Sequence, residues 1–149
     1  MDRRNIGMMV ADVARLMRRS FDARARSIGV TRPQWGVLSI LSLNEGINQG
    51  GLADLLEVEP ITLCRMVDRL QDAELIERRR DPADRRAWNL YLSDKGRDRL
   101  EDLRPLSEEL LAMAMDGVTD EERAALDNAL HRIRSNILAW EAPAVASHG

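Results

Sequence analysis

The chain has 149 residues, 44% of them hydrophobic and 32% charged, which suits one compact domain and excludes a disordered polyelectrolyte. Its net charge of −3 and single cysteine exclude a uniformly basic nucleic-acid coat and an internal disulfide framework. No stretch reaches the roughly 20 apolar residues of a membrane span, and Asp12, Arg15, Arg18 and Arg19 interrupt the continuous apolar core that a secretion signal needs. A cytoplasmic protein is expected.

Residues 6–28 place Ile6, Met9, Val10, Val13, Leu16, Met17, Phe21 and Ile28 at steps of mostly three and four. That spacing predicts a long amphipathic helix, ended by Gly29. Thr31, Pro33 and Gln34 supply a cap, a first-turn proline and a capping-box partner for a helix that ends before Asn44-Glu45-Gly46. Leu52, Leu55 and Leu56 mark a short helix within 49–57. After a turn at Val58-Glu59, Pro60 opens another helix, 61–73, with Leu63, Met66, Val67 and Leu70 as its apolar stripe. Two short helices joined by a tight turn make a helix-turn-helix.

Residues 75–79 read as a strand, Asp81-Pro82-Ala83-Asp84 as a turn, and Trp88–Leu92 as a second strand of period two. Together they form a β-hairpin wing. Ser93-Asp94 caps the next helix, in which Pro105 is expected to make a kink or a split. Thr119 with Glu122 forms a capping box for a last helix carrying Leu126, Leu130, Ile133, Ile137 and Trp140. The tail 142–149 is expected to fray.

The fold class is therefore mainly α (α+β), a winged helix-turn-helix core with a two-stranded β-hairpin wing and terminal helices. Within a single domain spanning 1–149, residues 31–99 form the DNA-binding lobe. The apolar stripes of residues 1–30 and 100–142 exceed what that lobe can bury, so these segments are expected to pair with a second copy. A two-fold homodimer would read a palindromic operator with half-sites about 10 bp apart.

The charge distribution supports this. Residues 100–149 carry 10 acidic and 4 basic side chains, whereas 78–86 hold five arginines against two aspartates. On the second helix of the motif, Ile61, Thr62, Arg65 and Arg69 lie off the apolar stripe, and Thr62 and Arg65 sit near the end that normally meets base edges. Arg is the usual bidentate reader of guanine. In the wing, Arg78, Arg85 and Arg86 offer charge to the minor groove, and Asp84 is placed to steer the Arg86 guanidinium.

No Ser/His/Asp set, Cys/His pair, phosphate loop or metal cluster is present, so neither an enzyme nor a metal or other cofactor is implied. His131 and His148 are too far apart in sequence to suggest a metal site. Two alternative functions are left open: a DNA-binding regulator switched by oxidation of Cys64, or a winged-helix protein-interaction module that has lost DNA binding and has no small-molecule effector.

The segment 84–93, Asp-Arg-Arg-Ala-Trp-Asn-Leu-Tyr-Leu-Ser, resembles the wing signature D-x-R-x-x-x-x-x-L-[T/S] of the MarR/SlyA-like family of transcriptional regulators. Residues 49–56 and 59–70 resemble that family's two motif helices, Thr31–Trp35 the start of the helix before them, and the likeness extends over roughly 6–140. The resemblance implies a repressor in which Arg86 enters the minor groove while Thr62 and Arg65 work in the major groove. It also implies release by a small aromatic or phenolic acid, or its CoA thioester. The expected lining of that effector pocket is Arg15, Arg18, Trp35, Ser39 and Met66, with arginine pairing a carboxylate and Trp35 and Met66 forming an apolar wall. Ser93 stands where the family more often has threonine and keeps the capping hydroxyl.

Overall fold

The computed structural model describes residues 3–141, with side chains from residue 5; the tail expected to fray lies outside the described residues. Among the described residues, six helices and one antiparallel hairpin follow in the order α1 (Arg3–Ser27), α2 (Arg32–Ser42), α3 (Gln49–Leu56), α4 (Pro60–Asp72), β1 (Ile76–Arg80), β2 (Trp88–Leu92), α5 (Asp94–Ala114) and α6 (Asp120–Glu141). The fold is the winged helix-turn-helix expected from the sequence. The chain divides into two compact units, Met1–Leu111 and Ala112–Gly149.

Local signals set the helix ends in the first unit. The Thr31 hydroxyl accepts from the Gln34 amide, and the Gln34 side chain accepts from the Thr31 amide, so α2 starts with a reciprocal box. Asn48 caps α3 by accepting from the Gly51 amide at 2.7 Å. Glu57 ends α3 in the left-handed region at φ 54°, reversing the chain within the few residues that precede Pro60. α4 has no side-chain cap, and Pro60 provides its start by removing one otherwise orphaned N–H.

One core joins α2, α3, α4 and the hairpin through Val37, Leu38, Leu41, Leu52, Leu63, Val67, Leu70, Ile76, Leu90 and Leu92. A second cluster joins α1, α2 and α5 through Ala25, Val30 and Leu103, with Phe21 and Trp35 packed edge to face at 4.9 Å. These clusters fix α4 and the wing on one rigid lobe.

The hairpin register runs from Ile76–Leu92 to Arg80–Trp88. A further pairing went unread in the sequence. The Gly46 amide donates to the Leu90 carbonyl at 2.8 Å, the Leu90 amide donates to the Ile47 carbonyl at 2.9 Å, and Asn48 bridges Asn89. β2 is thus bonded on both sides.

Pro105 does not split α5, which is continuous from Asp94 to Ala114. Its missing N–H deprives only the Glu101 carbonyl, on an exposed residue where water can substitute, while Leu103 and Leu110 are buried on either side of it. At the start of α5, the Ser93 hydroxyl donates to the Glu74 carbonyl and accepts from the Gly96 amide.

In the second unit, a turn with Gly117 at φ 79° leads into α6. The Glu122 amide donates to the Thr119 hydroxyl at 3.2 Å, and the Thr119 amide donates to the Glu122 carboxylate at 3.0 Å. α6 has no buried residue.

Candidate nucleic-acid interface

The apolar stripe of α4 decides which residues point outward. Leu63, Val67 and Leu70 are buried, Met66 and Cys64 are half-buried, and Ile61, Thr62, Arg65, Asp68 and Arg69 are exposed. Ile61 is 65% exposed.

The wing tip is tightly built. The Asp81 carboxylate accepts from the Ala83 and Asp84 amides at 2.7 and 3.2 Å and from the Asn89 side chain at 3.1 Å. These bonds, led by the one from Ala83, hold the Asp81 carboxyl below its ordinary pKa. The Asp81 amide donates to the Ala87 carbonyl, and the Ala87 amide to the Asp84 carbonyl. Arg80 lies over Trp88 at 4.8 Å and donates to the Arg85 carbonyl at 3.1 Å; Arg79 lies over Tyr91 at 4.1 Å.

Asp84 acts differently from the expectation. Its carboxylate accepts from the backbone amide of Arg86 at 2.9 Å, so it shapes the turn that presents Arg86 instead of gripping the guanidinium. The short turn brings the backbone within reach first, and leaves the long side chain to solvent.

Arg65, Arg69, Arg85 and Arg86 are exposed and make no ion pair among the described residues. Arg78 is different: its side chain is only 15% exposed, and its guanidinium bonds to Asp68, Gln71 and Gln49. The motif helices and the wing therefore present these four cations free of ion pairs, with Arg79 and Arg80 exposed but stacked on Tyr91 and Trp88, and Arg78 bonded internally.

Arg18, Trp35, Ser39 and Met66 line one cleft of about 640 Å³, together with Ile40 and Val58. An adjoining groove of about 420 Å³ shares Arg18, Trp35 and Ser39 and adds Met17, Phe21 and Leu110. Arg15, expected in the same lining, is not brought to it. It lies nearly one turn nearer the start of α1, beside Met8 and Met9, and pairs with Asp12 at 2.6 Å. Trp35 is also part of the core, donating from its indole to Asp22 at 2.7 Å. Cys64 is half-buried. Among the described residues, no group of three or more His, Cys, Asp or Glu could hold a metal, and no helix is long and apolar enough to cross a membrane.

The MarR family model matches residues 30–88. The uncharacterized HTH-type transcriptional regulator YybA of Bacillus subtilis (strain 168) is 30% identical over 139 residues, covering 93% of this chain and 90% of its own. A MarR transcriptional regulator from Methanosarcina mazei Go1 matches with a TM-score of 0.80 at 26% identity, over 92% of this chain and 99% of that one. A MarR-family regulator from Silicibacter pomeroyi matches with a TM-score of 0.74 at 27% identity, over 87% of each.

Proposed function

The chain belongs to the MarR family of transcriptional regulators, and on that footing we propose that it is a homodimeric repressor released from a palindromic operator by an aromatic acid. The observation that carries the DNA-binding part is the set of exposed, unpaired arginines on α4 and at the wing tip, Arg65, Arg69, Arg85 and Arg86, held on one core. Arg65, with Thr62 and Ile61 beside it, enters the major groove and reads base edges. Arg85 and Arg86 take the minor groove next to it, and the Asp84–Arg86 backbone bond sets their turn in advance.

Dimerisation involves residues 1–30 and 100–142. On α1, Ile6, Met9, Val10, Val13 and Leu16 are each 44–56% exposed; on α6, Leu126, Leu130, Ile133 and Ile137 are each 40–52% exposed. Covering each such side chain contributes roughly 1 kcal/mol, and a second copy is the partner always present at the protein's own concentration. Doubling the lobe doubles the DNA contacts and makes the site two-fold symmetric.

The effector occupies the cleft beneath α2 and α4. Arg18 pairs its carboxylate, Trp35 and Met66 flank its ring, and Ser39 offers a hydroxyl. Because Met66 belongs to α4, a ligand held there favours one placement of the recognition helix over another, and so shifts the equilibrium away from the DNA-bound arrangement. No observation on Cys64 favours an oxidative trigger over this one. The test is footprinting on the protein's own upstream DNA with a panel of phenolic acids and their CoA thioesters. A two-fold symmetric footprint that one compound erases is expected; an asymmetric footprint, or one that no compound changes, would reject the corresponding part.

A further inference from the structure

The Arg78 guanidinium makes three side-chain hydrogen bonds within the fold, more than its wing neighbours Arg79 and Arg80 make. Its Nη2 donates to the Asp68 carboxylate at 2.6 Å, its Nη1 to the Gln71 side chain at 2.7 Å, and its Nε to the Gln49 side chain at 3.3 Å. Three nitrogens thus meet three acceptors on two helices and tie both to the hairpin: Gln49 opens α3, Asp68 and Gln71 lie on α4, and Arg78 is the middle residue of β1. The Arg78 side chain is 15% exposed and Asp68 54%, so the arginine is shielded while its acceptors on α4 remain open to water.

We propose that Arg78 is a positioning residue, a clamp that fixes the angle between the recognition helix and the wing, and not itself a phosphate contact. This rests on the reading of α4 and the wing as a DNA-binding pair. Two grips that enter adjacent grooves cooperate only if their separation is set before binding; otherwise each encounter must order one against the other. The clamp supplies that setting from a planar fork of fixed geometry, which lysine cannot reproduce. It also gives Asp68, an acid on the DNA-facing helix, a favourable role.

The competing reading is simple electrostatics, and it predicts opposite signs. If Arg78 served only as positive charge, Arg78→Lys would bind DNA normally and Arg78→Ala would lower the salt slope by about one. Asp68→Ala would then tighten binding by removing a negative charge near the phosphates.

The test measures affinity for the protein's own upstream duplex and for a scrambled duplex of equal length, for wild type, Arg78→Lys, Asp68→Ala and the double variant Arg78→Ala/Asp68→Ala. Thermal unfolding provides the folded fraction of each. The clamp predicts that Arg78→Lys and Asp68→Ala each weaken own-site binding about tenfold more than scrambled binding, with the salt slope unchanged. The double variant should be no worse than the weaker single variant, because both remove the same coupling. Loss of folding alone would lower both duplexes equally and would overturn the clamp. Own-site affinity retained by Arg78→Lys, or raised by Asp68→Ala, would also overturn it. If wild type itself shows no preference for its own duplex, the DNA-binding reading fails and the clamp falls with it.

Discussion

Glu45 and Arg97, 52 positions apart, face each other through two N–H···O bonds of 3.0 and 3.1 Å. The same carboxylate accepts from the Leu92 amide at 2.9 Å, so one side chain ties the loop after α2 to the end of β2 and the first turns of α5. The Arg97 guanidinium, aided by the Leu92 amide, holds the Glu45 carboxyl below its ordinary value, against a smaller opposing effect of burial.

That shift gives the lobe an acid-sensitive component. The folded form binds the Glu45 proton less readily than the unfolded chain, so the contribution is complete above the ordinary value of 4.5 and disappears as pH falls through the lower folded value. Asp81 at the wing tip behaves in the same sense around its ordinary value of 3.8. Since Arg97 is half-exposed, Glu45→Gln should cost no more than about 1 kcal/mol at neutral pH. Denaturant unfolding at pH 7 and pH 3 checks this. The difference between variant and wild type should shrink at pH 3; a constant difference would remove the titration from the account.

Gly96 packs against backbone. A Cβ there would lie 2.1 Å from the Leu75 carbonyl oxygen, which already accepts from the Ser93 amide. Gly96→Ala should therefore force α5 off the end of β1 and destabilise by about 2–3 kcal/mol, despite alanine's better helix propensity. Gly7→Ala, with open space around its Cβ, should be neutral or slightly stabilising. A thermal melt of the pair decides between clash and propensity.

Arg65→Ala and Arg86→Ala should fail in different ways. Loss of Arg65 should relax preference at one base position per half-site, at about 1–3 kcal/mol. Loss of Arg86 should weaken all duplexes and reduce the salt slope by about one per half-site. Asp84→Ala should mimic Arg86→Ala more weakly, because it frees the turn while leaving the Arg86 cation in place. Randomised-site selection with each variant separates the two; identical selection profiles would reject the division.

Arg18→Ala is the cleaner probe of the cleft. Trp35→Ala would also remove the Phe21 contact and the Asp22 bond, with a core cost of about 3–5 kcal/mol. Arg18 is exposed and makes no ion pair among the described residues. Its loss should weaken release by an aromatic carboxylate at least about tenfold and leave DNA affinity within about twofold, in anisotropy titrations with the compound added. An unchanged response would place the acid elsewhere.

Much of this was legible in the sequence because the signals are local. Thr31 with Gln34, Thr119 with Glu122, Pro60 and the Asp81 turn each satisfy backbone groups within four residues, and period two alone set the face shared by Leu90 and Leu92. What was missed depends on partners distant in sequence. Gly46–Asn48 pairs with β2 through too few residues to show a period. Arg78 looked like any other wing arginine until Asp68, Gln71 and Gln49 were brought to it. Arg15 was grouped with Arg18 by the family resemblance, and its place nearly a turn earlier on α1 sets it beside Met8 and Met9 instead. Pro105 obeyed the local rule in losing a bond, yet buried neighbours on both sides kept α5 in one piece.

The most direct test of the central claim is a titration of the wild-type protein against its own upstream duplex and a scrambled duplex over a range of salt concentrations, repeated with Arg65→Ala/Arg86→Ala. The account predicts that wild type prefers its own duplex, that log affinity falls linearly with log salt, and that the double variant loses both the preference and part of the slope. Equal affinity for the two duplexes at every salt, or a double variant that binds as wild type does, would contradict it.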